Sequence, residues 1–198
     1  MNINWNPPNP RKGFVGQWDK FVGPGATSAE EWVQLICGVL LAIGSIALFF
    51  VQQESNPSIW QMLVVVFLAV DISGGIVTNA TSAAKRWYFR PSQGFKAHFG
   101  FIALHGIHIG LIAALFTNNP LVYFLLFYGY LLLAALVILR MPLYLQRPVA
   151  FAFFAGAVLL NLLNLAGIQG LGWFIPLLFL KLLLAHLLKE APYQPDDV

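Results

Sequence analysis

Charged residues and cysteines are both scarce in this chain. Charged side chains make up 10% of its 198 residues, and it has one cysteine, Cys37, whereas a soluble domain of this size carries roughly 25% charged residues. A single cysteine excludes a disulfide scaffold and a zinc site built from cysteines. The net charge of +3 is spread among loops rather than gathered on one basic face, so nucleic acid is not expected as a partner.

Apolar residues are what the chain has in excess. They account for 59% of the sequence, which includes 17 Phe, against roughly 45–50% in an average soluble domain. So few charged groups leave too little polar surface to cover a water-soluble globule. The sequence therefore predicts an all-α integral membrane protein.

Long apolar segments predict a bundle of six transmembrane helices. A helix needs about 20 apolar residues to cross a hydrocarbon core near 30 Å thick, and six segments reach or approach that length. They are Glu31–Val51, Ser58–Ser82, Ala97–Phe116, Pro120–Ile138, Val149–Ala166 and Gly172–Leu188. Capping-box spacing from Ser28 to Glu31 predicts the start of the first helix. The chain then divides into a juxtamembrane segment (1–27), a transmembrane domain (28–190) and a polar tail (191–198).

The distribution of Lys and Arg predicts the orientation. With six spans, ten of the eleven basic residues fall in loops or at helix ends on one side of the membrane. Loops rich in Lys and Arg stay in the cytoplasm, so we expect a multi-pass protein of the cytoplasmic or inner membrane with both termini inside. Aromatic and basic residues alternate in segment 1–27. That segment is expected either to lie on the inner leaflet or to cover a cytoplasmic cavity.

Six ionisable residues interrupt the apolar spans: Asp71, His98, His105, His108, Lys181 and His186. Such groups cost at least ~2.5–3.5 kcal/mol near the centre of a membrane helix, which makes each a candidate for function. Counting 1.5 Å per residue places Asp71, His105 and Lys181 in one layer. We therefore expect Lys181 to be the charge partner of Asp71. His186 is expected near the inner end of its helix, apart from the other histidines.

Spans two and three each carry a polar stripe at helical spacing. The positions are Asp71, Gly75, Thr78, Asn79 and Ser82 on span two, and His98, His105 and His108 on span three. Together the stripes predict a cavity that opens towards the cytoplasm. Its candidate catalytic residues are Asp71, Asn79, His98 and His105. Structural roles are the alternative: an Asp71–Lys181 pair and hydrogen-bonded histidines that hold the bundle together.

The connection between these spans is basic. Lys85, Arg86 and Arg90 lie in it, and their positive charge makes them candidates for binding the anionic headgroup of a lipid substrate. Membrane lipids are thus the expected small-molecule partners.

A His-x-x-His pair with an aspartate on a neighbouring helix favours a metal site. Imidazole and carboxylate ligands suit both zinc and iron, so Asp71, His105 and His108 are the candidate ligands. Three protein ligands would leave a position for an activated water, as a metal-assisted lipid hydrolase requires. This set of residues is similar to that of the intramembrane ceramidase-like hydrolases, which use His and Asp within a helical bundle. The similarity is limited to the types of residue, because the spacing of the histidine pair and the helix that carries it differ.

Three other functions remain open on the sequence. A haem site would need a second axial histidine off span three, for which only His186 is present. A small proton-coupled transporter would use Asp71 and His105 as a relay, with glycines as a hinge. A non-catalytic accessory or assembly subunit of a larger membrane complex would suit the small size and short outer loops. The chain is accordingly expected in a homo-oligomer or a larger assembly.

Overall fold

The computed structural model describes residues 4–53, 56–163 and 169–193, and these residues contain no β-strand. The α-helices are α1 (Gly13–Val22), α2 (Ser28–Val51), α3 (Ile59–Ala80), α4 (Ser82–Tyr88), α5 (Phe95–Leu104), α6 (Gly106–Phe116), α7 (Pro120–Arg140), α8 (Leu143–Leu162) and α9 (Phe174–Phe179). A π-helical segment, Leu180–His186, continues α9.

Among the described residues, five helical stretches are long and apolar enough to cross a membrane. They are α2, α3, α5 with α6, α7 and α8. The prediction of an all-helical, multi-pass membrane protein is thereby supported. The sixth predicted span corresponds to a shorter apolar helix, Phe174–His186. At 1.5 Å per residue its 13 residues reach about 20 Å, less than the hydrocarbon thickness.

Capping boxes start two of the long helices. At α2 the Thr27 hydroxyl accepts from the Glu30 backbone N–H at 3.1 Å, and the Glu30 carboxylate accepts from the Thr27 N–H at 2.8 Å. The box therefore begins one residue before the predicted Ser28. At α3, Ser58 and Gln61 make the same reciprocal pair. Each box satisfies two backbone donors that a helix start leaves without partners.

Helix α8 differs from the predicted fifth span. It begins at Leu143, six residues before the predicted Val149, and includes Pro148. Proline inside a helix lacks the N–H that closes a helical turn. Here the carbonyl that loses its donor belongs to Tyr144, which is 80% exposed, so the helix continues through the proline. The predicted end of this span at Ala166 lies outside the described residues.

Helix α3 lies at the centre of the bundle. It packs along α2 on one side and against α9 and the π-helical segment on the other. Fully buried apolar side chains from both sides form the core, among them Leu68, Ile72, Phe174 and Leu178. Apolar residues on the outer faces stay exposed, as lipid contact requires.

Within the juxtamembrane segment (1–27), residues Gly13–Val22 form the short helix α1. Its aromatic side chains Phe14, Trp18 and Phe21 are exposed. Arg11 fastens the helix by donating to the buried carboxylate of Asp19 at 2.6 Å. Gly23, at φ 97°, lets the chain pass close to the backbone of α4, where a side chain would collide. Helix α1 is thus tied to α4 with its aromatic side chains free.

Candidate functional site

One carboxylate oxygen organises the polar residues at the middle of the bundle. Asp71 lies in the middle of α3, and its Oδ2 is 2.5 Å from Lys181 Nζ and 2.8 Å from His108 Nε2. Lys181 is 4% exposed and His108 is 13% exposed at the side chain. The structure therefore brings Asp71, Lys181 and His108 together, at the depth expected from counting residues.

His105 joins this group through a break in the third span. The backbone N–H of His105 bonds to Ile102 O instead of Phe101 O, and α5 ends there. The imidazole Nδ1 takes the place of that N–H, 2.8 Å from the Phe101 carbonyl. A carbonyl only accepts, so Nδ1 carries the hydrogen and the neutral ring has its lone pair on Nε2. That is the form of histidine that binds a metal or accepts a proton.

The π-helical segment places Lys181 and His186 on one face of the last helix. In an α-helix, residues five apart differ by about 140° around the axis. A π-helix closes hydrogen bonds between residues five apart, as from Leu187 N–H to Leu182 O here, so these residues nearly stack. Lys181 thus reaches Asp71 while His186 reaches α5. The sequence carries no signal for this turn, which is why His186 was expected elsewhere.

Three possible metal-ligating atoms lie close together in this cluster. One ligand atom each from Asp71, His105 and His108 falls within 4.8 Å of the others. In a tetrahedral zinc site with Zn–N bonds of 2.0–2.1 Å, ligand atoms are about 3.3 Å apart. The ligands would therefore need to approach by about 1.5 Å at most, a side-chain adjustment. Lys181 competes with any cation for the Asp71 carboxylate, because its ammonium already contacts Oδ2.

The Asp71 carboxylate is also accessible from the side of the bundle. Its side chain is 36% exposed. Phe67, four residues earlier on the same helical face, is 54% exposed, and Val70 is 56% exposed. An ionised group among exposed apolar side chains at this depth costs free energy. The Asp71 carboxylate therefore faces the part of the membrane where lipid chains lie.

His98 and His186 form a second polar cluster. His98 Nδ1 is 3.3 Å from His186 Nε2, and both residues are buried. The ring of Phe101 stacks on the His186 ring, with 4.1 Å between the ring centroids, and its centroid lies 4.8 Å from that of His105. His98 was expected on the same face as His105 and His108, but it lies outside the group around Asp71. The helix break at His105 alters the register on which that expectation depended.

Asn79 lies eight residues beyond Asp71, towards the end of α3. It is 4% exposed, and its Nδ2 has no hydrogen-bond partner among the residues that the structure describes. It makes none of the contacts of the Asp71 carboxylate. The structure therefore does not bring this candidate catalytic residue into the cluster.

The basic connection between the second and third spans differs most from its predicted form. Lys85 and Arg86 lie in α4 and are each 2% exposed. Lys85 Nζ donates to the carbonyls of Ala185 and Leu188, at 2.6 Å each, and burial lowers its pKa to about 8. Arg86 donates to Pro192 O at 3.3 Å. Lys85 thus anchors the end of the last helix and Arg86 the segment that follows it, instead of presenting free charges to a headgroup.

Two pockets flank the end of α3. One is an apolar groove of about 590 Å³ along α2 and α3, lined in part by Trp18 and Phe21 of α1. The other is a small polar pocket of about 140 Å³ between α4 and α5, where Arg90 and His98 lie. Of the three basic candidates, Arg90 alone lines the polar pocket.

The comparisons with known proteins leave the site to be interpreted from its geometry. No protein-family model matches the chain, and no curated protein or solved structure does.

Proposed function

We propose that this protein is a membrane enzyme that modifies lipids at a metal centre formed by Asp71, His105 and His108. The observation that carries the proposal is the proximity of their ligand atoms within 4.8 Å, together with the hydrogen bond that leaves the lone pair of His105 on Nε2. Zinc and iron both suit this ligand set. The reaction we favour is hydrolysis of an ester or amide bond.

The chemistry follows from the ligand count. A divalent ion with three protein ligands keeps a position for water and lowers the pKa of that water to about 7. The chain's own residues would hold the metal ligands in place and orient them. The Phe101 carbonyl fixes the ring of His105, and Lys181 lies where its ammonium can stabilise negative charge that develops beside Asp71.

Lipid is the substrate class that the location of the cluster favours. The cluster lies within helices that are apolar enough to cross a membrane, and the Asp71 carboxylate is partly exposed on the lateral surface. A molecule that already resides in the bilayer reaches this surface without crossing the headgroup region. Substrates dissolved in water would have to cross it.

A second candidate function follows from the position of Lys181. Its ammonium pairs with Asp71, and His108 donates to the same oxygen. Such a carboxylate with exchangeable partners also suits a proton-coupled transporter. Metal content separates the two, because a proton relay needs no metal.

The proposal includes the finer topology. We propose six spans with both termini in the cytoplasm, because ten of eleven basic residues then lie on one side. The shorter Phe174–His186 helix serves as the sixth span in this arrangement. Its proximity to α3 in the bundle supports this assignment.

Lipid hydrolysis in a defined membrane tests the proposal. The protein is reconstituted in nanodiscs of native lipid extract and supplied with zinc or iron(II), and released products are identified by mass spectrometry. We expect a product from the wild type that disappears with His105→Ala and persists with Lys96→Met, a change at an exposed lysine outside the cluster. An absence of any lipid product from the metal-loaded wild type overturns the assignment as a hydrolase.

A further inference from the structure

The polar pocket between α4 and α5 has the composition of an anion site. Its polar lining consists of Tyr88, Arg90, Gln93, His98 and His186, and none of the described lining residues is acidic. The pocket has a volume of about 140 Å³. At about 30 Å³ per water, that is room for four or five waters, or for a phosphate group with its five heavy atoms.

Arg90 is held in a fixed orientation beside this pocket. Its guanidinium lies 3.6 Å from the centroid of the Trp87 ring, and one of its terminal nitrogens donates to the Trp87 carbonyl. An arginine has five N–H donors in a planar fork, so the others remain for a ligand. A stacked, oriented guanidinium is well suited to the two-point recognition of phosphate.

His186 supplies a second donor. It is 3% exposed, and its Nδ1 has no hydrogen-bond partner in the described part of the chain. Its Nε2 pairs with His98 Nδ1, and one of those two nitrogens carries the shared hydrogen. When His98 provides it, the hydrogen of a neutral His186 lies on Nδ1. A buried N–H of that kind requires an acceptor.

Tyr88 adds a neutral hydroxyl to the same pocket. Burial raises the pKa of Tyr88, so its hydroxyl keeps its proton and can donate. Arg90 is the one charged residue among the described residues of the lining, so these residues supply a single positive charge among neutral donors. This combination matches one phosphate monoanion.

We propose that this pocket binds a phosphate group. The pocket shares no residue with the Asp71, His105 and His108 cluster, so the binding does not rest on the proposed function. His98 precedes His105 by seven residues, or about 10 Å along a helix. A phospholipid phosphate held here would lie on the headgroup side of that cluster, and this last point does rest on the proposed function.

Two phosphate probes test the proposal on the full-length protein in dodecylmaltoside, a detergent without phosphate. One probe is inorganic phosphate, and the other is dihexanoyl phosphatidylglycerol below its micelle concentration. Binding is followed by isothermal titration calorimetry and by the ¹⁵N resonances of the labelled histidines. We expect at least one probe to bind and to shift the His186 resonances towards the Nδ1–H tautomer.

Arg90→Gln carries the mutational test, with Arg140→Gln as its matched control, since Arg140 also lies over an aromatic ring, that of Phe95. Losing a charged hydrogen-bonding partner should weaken binding about tenfold or more with Arg90→Gln. Arg140→Gln should leave the affinity within about twofold, because Arg140 is not among the lining residues.

The two probes together identify the source of the phosphate. Binding of the lipid alone assigns a headgroup site, binding of inorganic phosphate alone assigns a free-phosphate site, and binding of both assigns a site that recognises the phosphate without the glycerol. The proposal is overturned if neither probe binds, if the His186 resonances stay unchanged, or if Arg90→Gln and Arg140→Gln bind equally well. Metal content plays no part in these readouts, so a failed metal proposal leaves them interpretable.

Discussion

Removing either member of the Asp71–Lys181 pair should destabilise the bundle, and by unequal amounts. Breaking a fully buried ion pair costs on the order of 3–5 kcal/mol, because the remaining charge loses its partner. Asp71→Asn leaves the ammonium of Lys181, which is 4% exposed, so we expect a loss of about 3 kcal/mol. Lys181→Met leaves a carboxylate that keeps its hydrogen bond from His108, and this remaining partner offsets part of the lost pairing. That loss should be smaller, about 1–2 kcal/mol.

The double variant measures the coupling between the two residues. With both charges gone, no uncompensated ion remains, and the loss should be at least about 2 kcal/mol less than the sum of the single losses. The assay is reversible unfolding in mixed micelles of dodecylmaltoside and dodecyl sulfate, followed by circular dichroism. Lys96→Met, at an exposed lysine, serves as control and should change stability by less than about 0.5 kcal/mol. Strict additivity of the two single losses refutes the pairing.

Three further predictions use other parts of the structure. A methyl group at Gly75 would overlap the side chain of Lys181, whereas one at Gly74 meets nothing within 4 Å. Gly75→Ala should therefore destabilise the protein in the same unfolding assay, and Gly74→Ala should not. Equal effects of the two substitutions would contradict the packing. In a cysteine-free background, a cysteine at Ser92 should react only with a cytoplasmic thiol reagent and one at Asn56 only with an external reagent; labelling of both from one side excludes six spans. The pKa of Lys85 falls from 10.5 to about 8 on folding, so the unfolded state binds more protons between these values and stability should rise with pH there; an equal rise in Lys85→Met would rule out this residue as the source.

Residue counting along the spans predicted much of the central cluster. Asp71 and Lys181 are 110 positions apart in sequence, yet their equal depth and opposite charges predicted that they pair. The reason is physical: membrane helices run nearly parallel and rise by a constant amount per residue, so depth follows from the distance to the helix end. The class of fold was predicted from composition, because so few charged residues cannot cover the surface of a water-soluble protein.

Local departures from α-helical geometry were beyond prediction. The break at His105 and the π-helical turn after Phe179 depend on how neighbouring helices pack, and no capping residue or proline in the sequence marks either. These two features decide which histidines meet Asp71 and which meet each other. The fates of Lys85 and Arg86 were missed for a similar reason, because their partners are backbone carbonyls about 100 residues further along the chain.

Metal content tests the central claim most directly. The wild type and His105→Ala are purified without chelators, and transition metals are measured by inductively coupled plasma mass spectrometry, with His98→Ala as a control that leaves the cluster around Asp71 intact. The account predicts about one equivalent of zinc or iron per chain in the wild type and in His98→Ala, and a large loss in His105→Ala, because metal affinity depends on the full ligand set. Less than about one tenth of an equivalent in the wild type would contradict it.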